Sequence, residues 1–564
     1  MKLKSSYSKK VFLFLLFIVI SNSIHPQPQK VCVASKAMVV SAEELATKVG
    51  VQILKKGGNA IDAAVAVGFA LAVTYPTAGN IGGGGFLVAH LENGRNISID
   101  FRETAPKKSF RNMYLDSSGN FVQEKSLLGG LAVGVPGTVA GLILALEKYG
   151  SMSLTPVIQP AINLAEYGFP LSVSNAKMFN ENRKYFQKFE SSSKLFVKEN
   201  EFKEGDIFYQ KDLAKTLNNI QELGIKGFYE GEVAQKLVKC INQNGGIFQL
   251  EDLTAYKAIE RDIIKGNFLD YEIISMPPPS SGGIALVQIL NMMELIHEKN
   301  PNLDELEYYH SLIEVLKLVY AERAAHLGDP DFIDIPTEKL ISKMYAKYQS
   351  DRITNQATPS KEIQSKLKDY FESEETTHYS VLDEFGNAVS VTYTLNSGFG
   401  SKLFAEGTGV LLNNEMDDFS AKPGVPNQFG LVGSEANSIE PHKRMLSSMT
   451  PTIVLKENKP YLIVGTPGGS TIITVVAQVI LNKLLLKEDI ETSVFKPRVH
   501  HQWLPDQIDI ETDSISEELS SKLVERGHKI GRKRLLGLVE AILIEDGKII
   551  GVSDKRGSGH AEGY

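Results

Sequence analysis

The sequence predicts a protein of the α+β kind, in which helices and locally paired strands build layers. Three observations carry that expectation. Residues 376–396 read as a β-hairpin closed by a glycine-containing loop, and Pro451–Leu455 with Tyr461–Gly465 read as a second strand pair. Ile61–Val73 and Thr471–Leu486 are apolar on most sides, the signature of helices buried between other elements. The chain has 564 residues, 43% of them hydrophobic and 23% charged, enough for one large layered unit or several smaller domains.

A net charge of −7 with no basic block argues against nucleic acid as a partner. Lys2, Lys4, Lys9 and Lys10 precede the apolar run Val11–Ile20, and Ser21-Asn22-Ser23 supplies small residues at cleavage spacing. That is the layout of a secretory signal peptide over residues 1–23. It predicts a secreted or periplasmic protein with no stable membrane association, a retained anchor being the alternative. The two cysteines, Cys32 and Cys240, form no metal or redox motif, and nothing in their context supports a bond between them.

Taken in order, Ser41-Ala42-Glu43-Glu44 reads as a capping box that opens a helix carrying Leu45, Val49 and Ile53. Gly57-Gly58 ends it, and Asn59 starts the apolar helix Ile61–Val73. Gly82-Gly83-Gly84-Gly85 leads into the strand Phe86–His90. No Lys-Ser/Thr follows the glycines, so close backbone packing is a better reading than a phosphate cradle. Ile97–Phe101 is a strand, and Arg102 and Glu103 follow it directly; an arginine there is either a surface ion pair or a carboxylate clamp. Helices are expected at Gly137–Tyr149, Pro156–Tyr167, Asp212–Leu223 and Glu232–Asn242. The strand Tyr271–Met276 passes through a rigid Pro277–Gly283 turn into the helix Ile284–His297, and a longer helix spans Leu306–Leu327. Ser350–Glu375 is polar and reads as a linker, a place where a chain can be cut without breaking a core. Ser420–Gly433, rich in glycine and proline, reads as a surface loop or lid. Thr466–Ser470 opens the helix Thr471–Leu486 with a Gly-Gly turn, whose free N–H groups favour negative charge; a plain strand-to-helix turn is the alternative.

The hairpin organises the rest. Asp383–Asn387 fits a three-residue loop in which Gly386 takes the left-handed position. Counting outwards, His378 faces Thr392 and Thr376 faces Thr394, on a face shared with Asn396. A two-residue loop would pair Thr377 with Thr394 instead. A threonine hydroxyl needs a base within reach. An N-terminal threonine brings its own, an α-amine with a pKa of about 7.7–8.0. That requires a cut before Thr376. On the hairpin alone, an ordinary strand start is the better reading.

The wider sequence shifts the balance. Thr376–Ser380, Asn413–Ser420, Pro467–Ser470, Asp100–Glu103 and Pro277–Gly283 together resemble the bacterial γ-glutamyltranspeptidase family (γ-glutamyltransferase, glutathione hydrolase), over about Val33 to Tyr564. The resemblance implies a four-layer αββα sandwich with two central, mainly antiparallel sheets, the N-terminal-nucleophile hydrolase fold. It implies a precursor that cuts itself between Glu375 and Thr376 into a large subunit, residues 24–375, and a small subunit, residues 376–564, which stay together. Carried over by residue, Thr376 is the nucleophile and Thr394 its partner hydroxyl. Arg102, Ser447 and Ser448 match residues that hold the α-carboxylate of the γ-glutamyl group. Asn396, Glu415 and Asp418 match those that hold its α-amine, Gly468 and Gly469 match the oxyanion hole, and Phe429 stands where many members carry a lid tyrosine. The implied substrates are glutathione and other γ-glutamyl amides, with water, amino acids or dipeptides as acceptors. No metal or organic cofactor is implied, and His500-His501 lack ligand spacing. A related acylase acting on another amide, such as a β-lactam side chain, is the alternative within the fold. An uncleaved secreted binding protein is the alternative outside catalysis, and a metal-dependent peptidase lacks ligands.

Overall fold

The structure, a computed structural model, describes residues 28–363 and 376–564. The expected signal peptide and Glu375 lie outside those residues. Two seven-stranded sheets form the centre, and every strand pair in them is antiparallel. One sheet runs His560–Gly563, Met38–Ser41, Thr377–Leu382, Ala388–Thr394, Gly84–His90, Asn96–Asp100, Ile259–Arg261. The other runs Val31–Ala34, Lys548–Ser553, Glu540–Glu545, Lys459–Gly465, Thr452–Lys456, Tyr271–Ser275, Ile264–Phe268. Each sheet therefore draws strands from both sides of residue 376.

Helices Glu44–Lys55, Ala60–Thr74 and Thr138–Tyr149 cover the first sheet, with Leu154–Tyr167 packed on Ala60–Thr74; helices Gly282–Lys299 and Ile472–Leu484 cover the second, with Glu305–His326 packed on Gly282–Lys299. Alternation along Ala388–Thr394 explains the layering. Val389, Val391 and Tyr393 join the core under the first helical layer, whereas Ala388 belongs to the core shared with the second sheet. The sheets meet through polar contacts near the middle. Thr452 N–H donates to Ser390 Oγ at 3.1 Å, and Ser380 Oγ donates to Glu540 O at 3.0 Å. His378 lies between the sheets, 2.8 Å from Thr392 Oγ1, and burial pushes its pKa down to about 3. A Cβ on Gly465 would sit 2.3 Å from that ring, so a side-chain-free residue lets the sheets close here.

The hairpin has the three-residue loop and the register expected: His378 pairs with Thr392, Leu382 with Ala388, and Gly386 has φ +93°. The glycine run works by close approach, since a Cβ on Gly83 would meet Thr394 O at 2.0 Å. The helix Ala60–Thr74 is buried along its whole length and begins with an Asn59–Asp62 capping box.

Some expectations are corrected. Ser41 does not cap the first helix; it pairs with Tyr379 at a strand end, and Glu43 accepts the Ala46 N–H as the cap. Residues 420–433 lie deeper than a surface loop, with residues 426–430 buried and residues 422–425 only partly exposed. Helices Val173–Phe186 and Glu190–Phe196 were not expected from the sequence. Cys32, in the strand Val31–Ala34, and Cys240, on the helix Gly231–Gln243, are both free thiols packed against different cores. Among the described residues no helix is long and apolar enough to cross a membrane.

Candidate active site

Thr376, the residue preceding the first hairpin strand, is 5% exposed and lines a narrow cleft with a free volume of about 20 Å³. Its Oγ1 donates to Thr394 Oγ1 at 3.4 Å, and Thr394 Oγ1 also accepts the Asn396 N–H at 2.7 Å. Asn396 has φ +76°, and one N–H of its Nδ2 donates to Asn414 O at 3.0 Å. Thr394 and Asn396 both line the cleft.

Arg102 enters from the end of the strand Asn96–Asp100. The strand exit is fixed on three sides: Arg102 N–H donates to Asp100 Oδ1 at 2.9 Å, Tyr256 O–H donates to Arg102 O at 2.8 Å, and Asp100 is paired with Arg261 at 2.7 Å. The guanidinium is buried and bonds to Glu415 through Nη1 and to Asp418 through Nη2. Sequence reasoning gave these residues to opposite charges of one ligand; the structure puts the three in direct contact. Burial alone would lower the Arg102 pKa, and Glu415, Asp418 and Glu103 outweigh it and hold it above its ordinary value.

Glu103 was quoted in the sequence motif without a role. It is fully buried, neither oxygen meets a donor, and Oε2 lies 3.8 Å from Arg102 Nη1. Burial pushes its pKa up to about 8 against the pull of Arg102. A protonated carboxyl is a donor, and Glu415 Oε2, like both Glu103 oxygens, meets no hydrogen-bond partner among the described residues. Burial also raises Glu415 and Asp418.

Ser447 and Ser448 reach the cleft from a segment clamped by the Pro277–Gly283 turn. Ser447 N–H donates to Pro279 O at 2.9 Å, Ser281 N–H donates to Ser447 O at 2.8 Å, and Ser280 Oγ donates to Met449 O at 2.6 Å. Gly468 (φ +135°) and Gly469 (φ +51°) form the turn before the helix Ile472–Leu484, and Gly469 lines the cleft. Neither glycine N–H donates to an acceptor among the described residues. Phe429, 4% exposed, lies over Gly469. Its loop is tied down: Asn427 Nδ2 donates to Asp418 Oδ1 at 3.1 Å, Gln428 N–H to Asp417 Oδ2 at 2.9 Å, and Gln502 Nε2 to Phe429 O at 3.0 Å.

The same cleft contains four residues to which sequence reasoning gave no role, Leu431, Met449, Ile472 and the charged Arg323 on the helix Glu305–His326. His500 and His501 stand apart, buried and bonded to Thr474 at 2.9 Å and to Asp506 at 3.4 Å respectively.

The arrangement offers a buried hydroxyl, hydrogen-bond donors at a helix start, and adjoining cationic and anionic groups, a set suited to an amide whose acyl part ends in a zwitterion. A family model described as Gamma-glutamyltranspeptidase matches residues 46–564. The Glutathione hydrolase proenzyme of Escherichia coli (strain K12) is 48% identical over 531 residues, spanning 93% of this chain and 91% of that protein. The crystal structure of Helicobacter pylori gamma-Glutamyltranspeptidase aligns with a TM-score of 0.56 at 49% identity, over 57% of this chain and 94% of that one. Cephalosporin acylase from Bacillus halodurans superposes with a TM-score of 0.83 over 96% of this chain and 99% of its own, and at 24% identity that likeness speaks to the fold alone.

Proposed function

This chain belongs to the gamma-glutamyltranspeptidase family, and from that membership we propose how its cleft works. The protein is a γ-glutamyltransferase and glutathione hydrolase made as a precursor. Cleavage between Glu375 and Thr376 frees the Thr376 α-amine and leaves residues 24–375 and 376–564 as interlocked subunits. Delivery to the periplasm or the exterior through a signal peptide over residues 1–23 completes the reading.

In the reaction, Thr376 Oγ1 attacks the γ-glutamyl carbonyl carbon. The α-amine of Thr376 takes the hydroxyl proton, and Thr394 holds the hydroxyl in line. The N–H groups of Gly468 and Gly469 receive the oxyanion. Such a donor is worth about 3–4 kcal/mol of transition-state stabilisation. The carbon–nitrogen bond breaks, the proton passes to the leaving amine, and a γ-glutamyl-threonyl ester remains. Cysteinylglycine leaves when glutathione is the donor. Water or an amine then attacks the ester and restores Thr376.

The substrate's zwitterionic end exchanges partners with the protein. Its carboxylate takes Arg102, Ser447 and Ser448, while its ammonium takes Asp418, Glu415 and Asn396. With one proton held among the buried carboxyls Glu103, Glu415 and Asp418, all of which burial pushes up, the cleft sets two guanidinium groups against two carboxylates, and a zwitterion of no net charge enters without unbalancing it. The observation that carries this reading is the convergence of Thr376, Arg102, Asp418 and Gly469 on one cleft from four distant stretches of sequence.

Denaturing electrophoresis combined with a chromogenic γ-glutamyl anilide tests it. Two bands and anilide release are expected. A single full-length band with no release would reject the proposal.

A further inference from the structure

Arg323 is a guanidinium 5% exposed, and among the described residues it forms no ion pair with a carboxylate. A buried cation with no contacting carboxylate is expensive, and burial pushes its pKa below the ordinary value against the pull of Tyr320 and Asp418. It does, however, make two defined hydrogen bonds. Nε donates to Ser281 Oγ at 2.9 Å, and Nη2 donates to Ser448 Oγ at 3.2 Å. A guanidinium can only donate, so both serine oxygens are acceptors in those bonds and must send their protons elsewhere. Ser281 sends its proton to Ser447 O at 2.6 Å. The Ser448 hydroxyl proton meets no acceptor among the described residues, and Ser448 lines the cleft. Its neighbour Ser447 is arranged alike: Ser447 Oγ accepts the Met449 N–H at 3.1 Å, and its proton too meets no acceptor.

We infer that Arg323 is a positioning residue for the donor's α-carboxylate, turning the Ser448 hydroxyl so that its proton points at that carboxylate. This rests on the proposed function and deepens it. The cation fixes the direction of one serine hydroxyl and strengthens it as a donor, because a hydroxyl accepting from a charged group is polarised. Ser447 and Ser448 thereby become two adjacent donors, which suits a carboxylate and disfavours a carboxamide, whose N–H₂ would face them. The competing role is a purely mechanical one, in which Arg323 only bolts its helix to the Pro277–Gly283 turn.

A double-mutant cycle separates the two. Arg323→Met, Ser448→Ala and the combined variant are assayed with L-γ-glutamyl anilide, together with inhibition by L-glutamate and by its α-carboxamide. Loss of one charge-assisted hydrogen bond predicts a rise of about tenfold or more in KM and in the glutamate inhibition constant for each single variant. kcat should move by less than about threefold, since the contact is present before and during the chemical step. The carboxamide constant should move by less than about threefold. The combined variant should lie within about twofold of the worse single one, the margin of independent sites. Effects that multiply, glutamate and carboxamide constants that rise together, or an unchanged KM would each overturn the inference. If Arg323→Met yields no cut protein, Arg323→Lys takes its place; it keeps the charge but not the two-pronged geometry, and an unchanged KM there would be equally decisive. Wild-type protein that releases no anilide would reject the proposed function instead, so the two failures are distinguishable.

Discussion

Gly469→Ala tests the oxyanion assignment against geometry. Gly469 has φ +51°, a region where a Cβ costs about 1–2 kcal/mol. The added Cβ would also lie 2.7 Å from Phe429 Cδ1 and 2.9 Å from Cε1. The ring cannot simply swing away, because its loop is held through Asn427, Gln428 and the Phe429 carbonyl. Overpacking of this kind costs about 1–3 kcal/mol, and the strain falls on the turn whose N–H groups must face the reacting carbonyl. Displacing one such donor predicts a fall of about 10²–10³ in kcat. The assay is kcat at saturating γ-glutamyl anilide, normalised to the cut fraction seen by electrophoresis. Phe429→Ala in the Gly469→Ala background removes the clash and leaves the backbone strain, so recovery of about tenfold is expected. Gly469→Ala within threefold of wild type, or a combined variant no faster than Gly469→Ala, would refute the reasoning.

Thr376→Ala should accumulate as a single uncut band with no anilide release. Asp418→Asn removes one charge from the Arg102 pair and one proposed partner of the substrate ammonium; KM should rise about 30-fold or more, read from initial rates. Glu103 has a folded-state pKa near 8, above its ordinary 4.5, so its contribution to stability is full below about 4.5 and is lost as pH rises through about 8. Its ionisation also competes for Arg102; Glu103→Gln, which mimics the protonated form, should flatten the rise in KM between about pH 7 and 9 relative to wild type. His378, with a pKa of about 3, is buried neutral, so stability present above about pH 6.5 is lost as pH falls towards 3, and a urea midpoint that drops on acidification checks it.

Local geometry was legible where one residue type forces the backbone. Gly386 sets the hairpin loop, and the loop sets which residues face each other, so the Thr376–Thr394 contact could be counted before it was seen. The glycine run was legible for the same reason. Ser41 misled because sheet pairing with Tyr379 and His560 holds it extended and the helix starts later. Residues 420–433 misled because their polar composition looks like a surface, whereas their amides find partners in Asp417, Asp418 and Ser397. The helices Val173–Phe186 and Glu190–Phe196 carry too few regularly spaced apolar residues to read as helices; they are held by Phe179, Phe186 and Phe196 clustering on Phe399. Arg323 gave no signal at all. A basic residue in the last turn of a helix is ordinary, and only tertiary packing brings this one to Ser448.

The interleaving of strands from either side of residue 376 alters what durability means for this molecule. An intact chain can unfold and refold by itself, at a rate indifferent to concentration. Once severed, the halves must find one another again, so recovery becomes a bimolecular event and dilution works against it. Neither fragment retains a whole sheet to refold upon. The cleavage proposed before Thr376 would therefore exchange a reversible equilibrium for a lifetime set by the barrier to unfolding, and the working enzyme would persist for as long as it never comes apart.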